Sequence, residues 1–111
     1  MNNEAIEFIE GSDNAYEDLG FKDAEERLAK AKLAMKINAI IDKRKLKQTQ
    51  AAKILEINQP KVSALMHGRL SGFSMERLIH FLNLLDQDVQ IVIKAKPKRL
   101  KANGRLSVAF A

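Results

Sequence analysis

Apolar residues recur at helical spacing over most of the chain, and the period changes near the C-terminus. From Asp23 to Lys45 no Gly or Pro interrupts. Ala24, Leu28, Ala31 and Met35 form one helical stripe, and Leu33, Ile37, Ile40 and Ile41 form a second beside it. The spacing predicts a helix of about six turns, with Asp23 as its N-cap and Glu25 and Glu26 in the first turn, where the macrodipole favours acids. Its apolar face is wide enough to meet a domain core at one end and a partner chain at the other. Residues 1–21 lack such periodicity and read as mostly unstructured, with Tyr16, Leu19 and Phe21 as a short docking patch.

Two short helices follow. Ala51, Ala52 and Leu55 predict one over Gln48–Leu55, and Val62 and Leu65 form the buried side of another over Gln59–Met66. Asn58 caps the second, Pro60 is tolerated in a first turn, and Gly68 stops it. Two glycines mark His67–Phe73 as a turn. Ser74 caps a fourth helix with Leu78, Ile79, Leu82 and Leu85 inward. Beyond it Val89, Ile91 and Ile93 alternate with Gln90, Val92 and Lys94, which is strand periodicity. A lone strand has no partner in its own chain, so the simplest pairing is with the same strand of a second copy. Leu106, Val108 and Phe110 alternate again, as a short strand or a docking segment.

The expected organisation is an acidic, largely flexible arm over 1–22, a helical domain over 23–86, a dimerisation strand over 87–96 and a basic flexible tail over 97–111. The fold class is mainly α, a domain of four or five helices with a C-terminal β-strand paired across a dimer.

Charge sharpens this picture. The net charge is +5. Residues 1–26 carry nine acids and one base, net −8, and the rest of the chain is net +13. A basic body attracts polyanions, and an acidic arm suits a separate partner. There is no Cys, hence no disulfide framework or thiolate metal site, which fits a reducing cytoplasm. The acidic start does not read as a secretory signal, and no apolar run approaches the roughly 18 residues of a membrane span. His67 and His80 lack the spacing and company of a metal pair, and no nucleophile elbow, phosphate loop or carboxylate cleft is evident. No catalytic residue, metal or cofactor is expected.

Two short helices about three residues apart have helix-turn-helix spacing. This leaves Gln59, Pro60, Lys61, Ser63 and Ala64 on the outer face and N-terminal end of the second, the part that enters a major groove. Gln59 can donate and accept in one plane, matching adenine N6 and N7. Lys61 can reach guanine or phosphate, Ser63 can hydrogen-bond either way, and Ala64 and the Pro60 ring can touch a thymine methyl. Phosphate contacts are expected at Gln48, Lys47, Arg69 and His67, with Arg44 and Lys53 adding field strength. Such spacings also occur in bundles that bind no DNA. With aromatics at 5%, there is no stacking platform for RNA.

The stretch LKQTQAAKILEINQPKVSALMHGRLSGFSMERLIHF, Leu46–Phe81, resembles the Cro/XRE-type helix-turn-helix family. More narrowly it is similar to small bacterial regulators of which many are antitoxins of the host-inhibition-of-growth type. Phe73-Ser74-Met75-Glu76-Arg77-Leu78 onward to Asp88-Val89-Gln90-Ile91 and the lead-in Ser12–Phe21 carry this narrower likeness. The resemblance implies a lambda-repressor-like DNA-binding fold and a cytoplasmic homodimer, nucleoid-associated when bound to a palindromic operator. It implies a transcriptional repressor, in the antitoxin case one that also holds a small basic toxin. Gln48 matches a phosphate-contacting position, and Gln59, Pro60, Lys61, Ser63 and Ala64 match groove-facing ones. Two departures stand out. Glu56 occupies the turn position where Gly is usual and φ is positive, at a cost on the order of 1 kcal/mol. Lys47 occupies the usual Thr or Ser cap. The alternative reading is a protein-interaction module that neutralises a partner without specific DNA binding.

Overall fold

The computed structural model describes residues 13–97 and 104–111, with side chains described from Asp23 onward. Four helices follow in order: α1 Asp13–Lys43, α2 Gln48–Leu55, α3 Gln59–Met66 and α4 Met75–Leu84. The three later helices fall where capping and periodicity place them. Helix α1 does not. It begins ten residues before Asp23, so the latter part of the supposed flexible arm is helical backbone. Asp23 is an interior residue that pairs with Arg27 at 3.0 Å, one turn on. That stretch is helical by continuity with a long helix nucleated further on. Residues 1–12, and 98–103 of the expected basic tail, lie outside the described residues, as do the side chains of Tyr16, Leu19 and Phe21.

The two stripes of α1 part company. Leu33, Ala34, Ile37 and Ile41 are buried in the core, and Ala29 is buried as well. Leu28 and Met35, from the other stripe, are 60% and 67% exposed. The core gathers Leu33, Ile37 and Ile41 with Ala51, Leu55, Val62, Leu65, Leu78, Leu82 and Leu85. Phe73 and Phe81 complete it, edge to face at 5.8 Å between centroids and 76° between planes. Each wholly buried aliphatic side chain contributes on the order of 2 kcal/mol. Ala51, with no accessible surface, brings α2 into the core together with Leu55.

All four helices end alike. The chain turns left-handed at Lys45 (φ 54°), Glu56 (φ 60°), Gly68 (φ 74°) and Asp86 (φ 67°). In each case the next N–H reaches back to a carbonyl of the last turn: Leu46 to Ile41, Ile57 to Ala52, Arg69 to Ala64 and Gln87 to Leu82, at 2.9–3.1 Å. These bonds satisfy carbonyls that a helix end would leave open. Gly adopts this conformation freely, but a side chain there is strained.

Side-chain bonds from Asn38 and from Arg44, just past the end of α1, reach the ends of α3 and α4. Asn38 Nδ2 donates to Leu65 O at 3.1 Å, fixing α1 against the C-terminal turn of α3. Its Oδ1 is buried without a hydrogen-bond partner. Arg44 donates to Leu85 O at 2.7 Å, at the C-terminal end of α4, and lies 3.6 Å from the exposed Asp86 carboxylate. A cation at a helix C-terminus meets its negative pole. Arg44 is thus a fastener between helices, which its sequence position did not reveal.

No strand forms among the described residues. Val89, Ile91 and Ile93, expected as an alternating strand, are 37%, 76% and 92% exposed in irregular backbone. A strand needs a neighbour's N–H and C=O groups, and the single chain brings none alongside. The C-terminal segment instead returns to α1. Leu106 N donates to Glu25 Oε1 at 3.0 Å, Lys32 Nζ to Val108 O at 3.4 Å, and Lys36 Nζ lies 5.6 Å from the centre of the Phe110 ring. Val108 is half-buried against the core.

Glu56→Gly is expected to stabilise the fold by about 0.5–1 kcal/mol by releasing the left-handed strain, and Gly68→Ala to destabilise it by about 1 kcal/mol. A Cβ at Gly68 would meet nothing within 4 Å, so its effect is purely conformational. Urea unfolding of both variants checks the pair; shifts of the same sign would contradict it. Asn38→Ala is expected to cost about 1 kcal/mol, seen as a lower urea midpoint at unchanged slope.

Candidate nucleic-acid interface

Helix α3 is presented by its two buried residues. Val62 and Leu65 have no accessible surface, which holds one side of the helix in the core. Asn58 sits in extended backbone (φ −80°, ψ 165°), and its Oδ1 accepts from Lys61 N at 2.9 Å. This cap satisfies one of the free N–H groups of the first turn. Pro60 falls in that turn, where its missing N–H had no intrahelical partner. Gln59 and Pro60 are exposed, so the N-terminal end of α3 stands clear of the fold.

Opposite Val62 and Leu65, helical spacing aligns Pro60, Ser63, Ala64 and His67 on one outward stripe. Ser63 and Ala64 are half-buried, and Pro60 and His67 are exposed. His67 Nδ1 lies 2.7 Å from Ser63 O and 3.4 Å from Ser63 Oγ. A carbonyl only accepts, so Nδ1 carries the hydrogen and donates, and Nε2 is the nitrogen left for other partners. His67 therefore shares its face with the expected base-contacting residues.

Lys61 is placed differently from its neighbours. It is half-buried, and its ammonium stands 5.4 Å from the centre of the Phe73 ring, toward the turn between α3 and α4. The Arg77 guanidinium lies 5.8 Å from the same ring and 5.6 Å from that of Phe81. Two cations thus gather on a buried aromatic pair, an arrangement favoured by the ring quadrupoles. Arg77 was not among the expected site residues because it lies on α4, beyond the two short helices, and only Lys61 reaches its ring partner Phe73 from a different helix. The cue in the sequence was a pair of aromatics eight residues apart, flanking it.

Gln48 is the first residue of α2 and half-buried, with exposed Lys47 before it. Lys47 gives α2 no side-chain cap; instead Gln50 Oε1 accepts from Lys47 N at 2.8 Å. That bond satisfies the Lys47 N–H, and it does not replace the bond a Thr or Ser hydroxyl would accept from the first turn of α2. Arg69 is exposed just past α3, on the turn fixed by its own N–H bond to Ala64 O. Glu56 takes φ 60° and ψ 41°, so the turn keeps its left-handed form without glycine.

Electrostatics favour an anion here. From Lys43 to Arg69 there are seven bases (Lys43, Arg44, Lys45, Lys47, Lys53, Lys61, Arg69) and one acid, Glu56. Helices α2 and α3 carry no acidic residue at all. Their N-termini add partial positive charge to the same surface. His80 lies apart, along an open recess on α4 with Glu76, Arg77 and Asn83. Among the described residues no group of three or more His, Cys, Asp or Glu could hold a metal, and no helix is long and apolar enough to cross a membrane.

Comparison with known proteins agrees with this geometry. No curated protein gives a match. A solved structure assigned to the XRE family of transcriptional regulators is 56% identical, with a TM-score of 0.75, over 80% of this chain and 99% of that one. Residues 15–94 match the family described as helix-turn-helix domain. That match spans the capped pair α2–α3 and the helices that brace it, and with the structural neighbour it shows that the chain belongs to the Cro/XRE-type helix-turn-helix family.

Proposed function

We propose that the chain is a sequence-specific DNA-binding transcriptional regulator, a repressor acting as a homodimer on a palindromic operator. The observation that carries this reading is the presentation of α3. Its back is buried through Val62 and Leu65, its N-terminal end is exposed at Gln59 and Pro60, and the surface around it is strongly basic. Such a helix fits a major groove with its first residues toward the base edges. Gln59, Pro60, Ser63 and Ala64 would read bases, and Lys61 would reach a base or a phosphate from beside Phe73. Gln48, Lys47, Arg69 and His67 would hold phosphates. Phosphate contacts set affinity and its salt dependence; base contacts set preference. The chain is a binding protein and not an enzyme.

Two copies would place their α3 helices in successive major grooves, about 34 Å apart. The exposed Val89–Ile93 segment supports pairing of the two copies as an antiparallel ribbon. It is largely apolar, exposed and follows α4 directly. Strand structure would then arise only in the dimer. The antitoxin role is an extension by resemblance: the acidic N-terminal stretch complements a small basic toxin in charge. The reading as an interaction module without DNA binding loses its main support, because Glu56 accommodates the turn.

A mobility shift on the chain's own promoter region tests the reading; no shift at low salt would sink it. Gln59→Ala is expected to lower the preference for operator over random DNA by about tenfold, matching the 1–3 kcal/mol of a bidentate base contact. An equal loss on both DNAs would make Gln59 a phosphate contact. Deleting Val89–Ile93 is expected to weaken self-association in sedimentation equilibrium, and an unchanged dimer would refute the ribbon.

A further inference from the structure

The exposed stripe of α1 has a spacing that the core does not use. Ala24, Leu28, Ala31 and Met35 are separated by four, three and four residues, all exposed, with Leu28 at 60% and Met35 at 67%. Continued backward, the same spacing reaches position 21, a phenylalanine. This is the heptad alternation of a two-helix seam, with a large residue and an alanine taking turns. The stripe is bounded on both sides. The C-terminal segment lies along one flank, held by Glu25, Lys32 and Lys36. Asn38, next in the spacing, turns to Leu65 O of α3 and closes the seam at that end.

We propose that this seam docks the α1 of a second copy, antiparallel. Two independent features select that occupant. The first is charge. From Asp13 to Glu26, α1 has six acids and one base; from Arg27 to Lys43 it has five bases and one acid. Antiparallel pairing sets the acidic half of each helix against the basic half of the other, whereas parallel pairing sets like against like. The second is size. With Leu28 opposite the partner's Ala31, and Met35 opposite the partner's Ala24, every layer joins one large and one small residue. Parallel pairing would stack leucine on leucine and leave alanine facing alanine across a gap. Small residues at alternate positions let two helices approach closely, at or below the usual 8–10 Å between axes. The seam uses none of the residues of α3, and it is separate from Val89–Ile93, so the two self-association surfaces fail or hold independently.

The chain has no cysteine, so introduced thiols report unambiguously. Leu28→Cys and Ala31→Cys, made as separate full-length variants of different tag mass, are mixed and oxidised at micromolar concentration. The expected result is a disulfide between the two variants, with each alone remaining uncross-linked. Absence of cross-linking, or cross-linking of either variant with itself, overturns antiparallel pairing. As a second measurement, Leu28→Lys/Met35→Lys should raise the dissociation constant for self-association at least tenfold, with the far-ultraviolet dichroism unchanged and the unfolding midpoint unchanged at concentrations low enough that both proteins are monomeric, because both residues are exposed. Unchanged self-association overturns the proposal and leaves the seam to a different protein.

Discussion

Helix α3 can be presented only because α1 holds it from behind. Val62 and Leu65 are fully buried among a core that includes Ile37 and Ile41, and Asn38 bonds the carbonyl of Leu65. The eight residues of α3 are too few to be helical alone in water. Their helix exists because apolar burial on one side, the Asn58 cap at one end and the Gly68 turn at the other act together. Everything that faces outward, from Gln59 to His67, takes its direction from that arrangement. The fastening of Arg44 to the end of α4 serves the same purpose one helix further on.

The turns show how the fold tolerates residues that look wrong locally. Three of the four left-handed helix ends carry Lys, Glu or Asp rather than Gly. The strain at each is on the order of 1 kcal/mol, smaller than the burial of a single core leucine. Packing on both sides of each turn therefore decides the backbone. At Glu56 this keeps the short turn between α2 and α3 closed by the Ile57 N–H bond to Ala52 O.

Aromatic residues give the basic face part of its shape. Phe73 and Phe81 lie in the core, yet their rings approach Lys61 and Arg77 at its edge. The rings supply apolar burial on one side and a resting place for cations on the other. Charge at this edge is thus held in place, while Lys47 and Arg69 stay exposed on the neighbouring surface.

Local sequence determined helices α2, α3 and α4 through an apolar period in each, with caps at Asn58 and Ser74 and a glycine stop at Gly68. It also located the residues of the candidate interface, because capping and burial at Val62 and Leu65 leave Gln59, Pro60, Ser63 and Ala64 outward by helical geometry alone. Tertiary structure decided what periodicity could not. Both stripes of α1 have helical spacing, and only the position of the other helices made one a core and left Leu28 and Met35 bare. Lys61 reaches the Phe73 ring from a different helix, twelve residues away, and so joins Arg77 there by a contact invisible to any local pattern. The alternation at Val89–Ile93 has the period of a strand, but a strand is a relation between two segments, and among the described residues this one pairs with none.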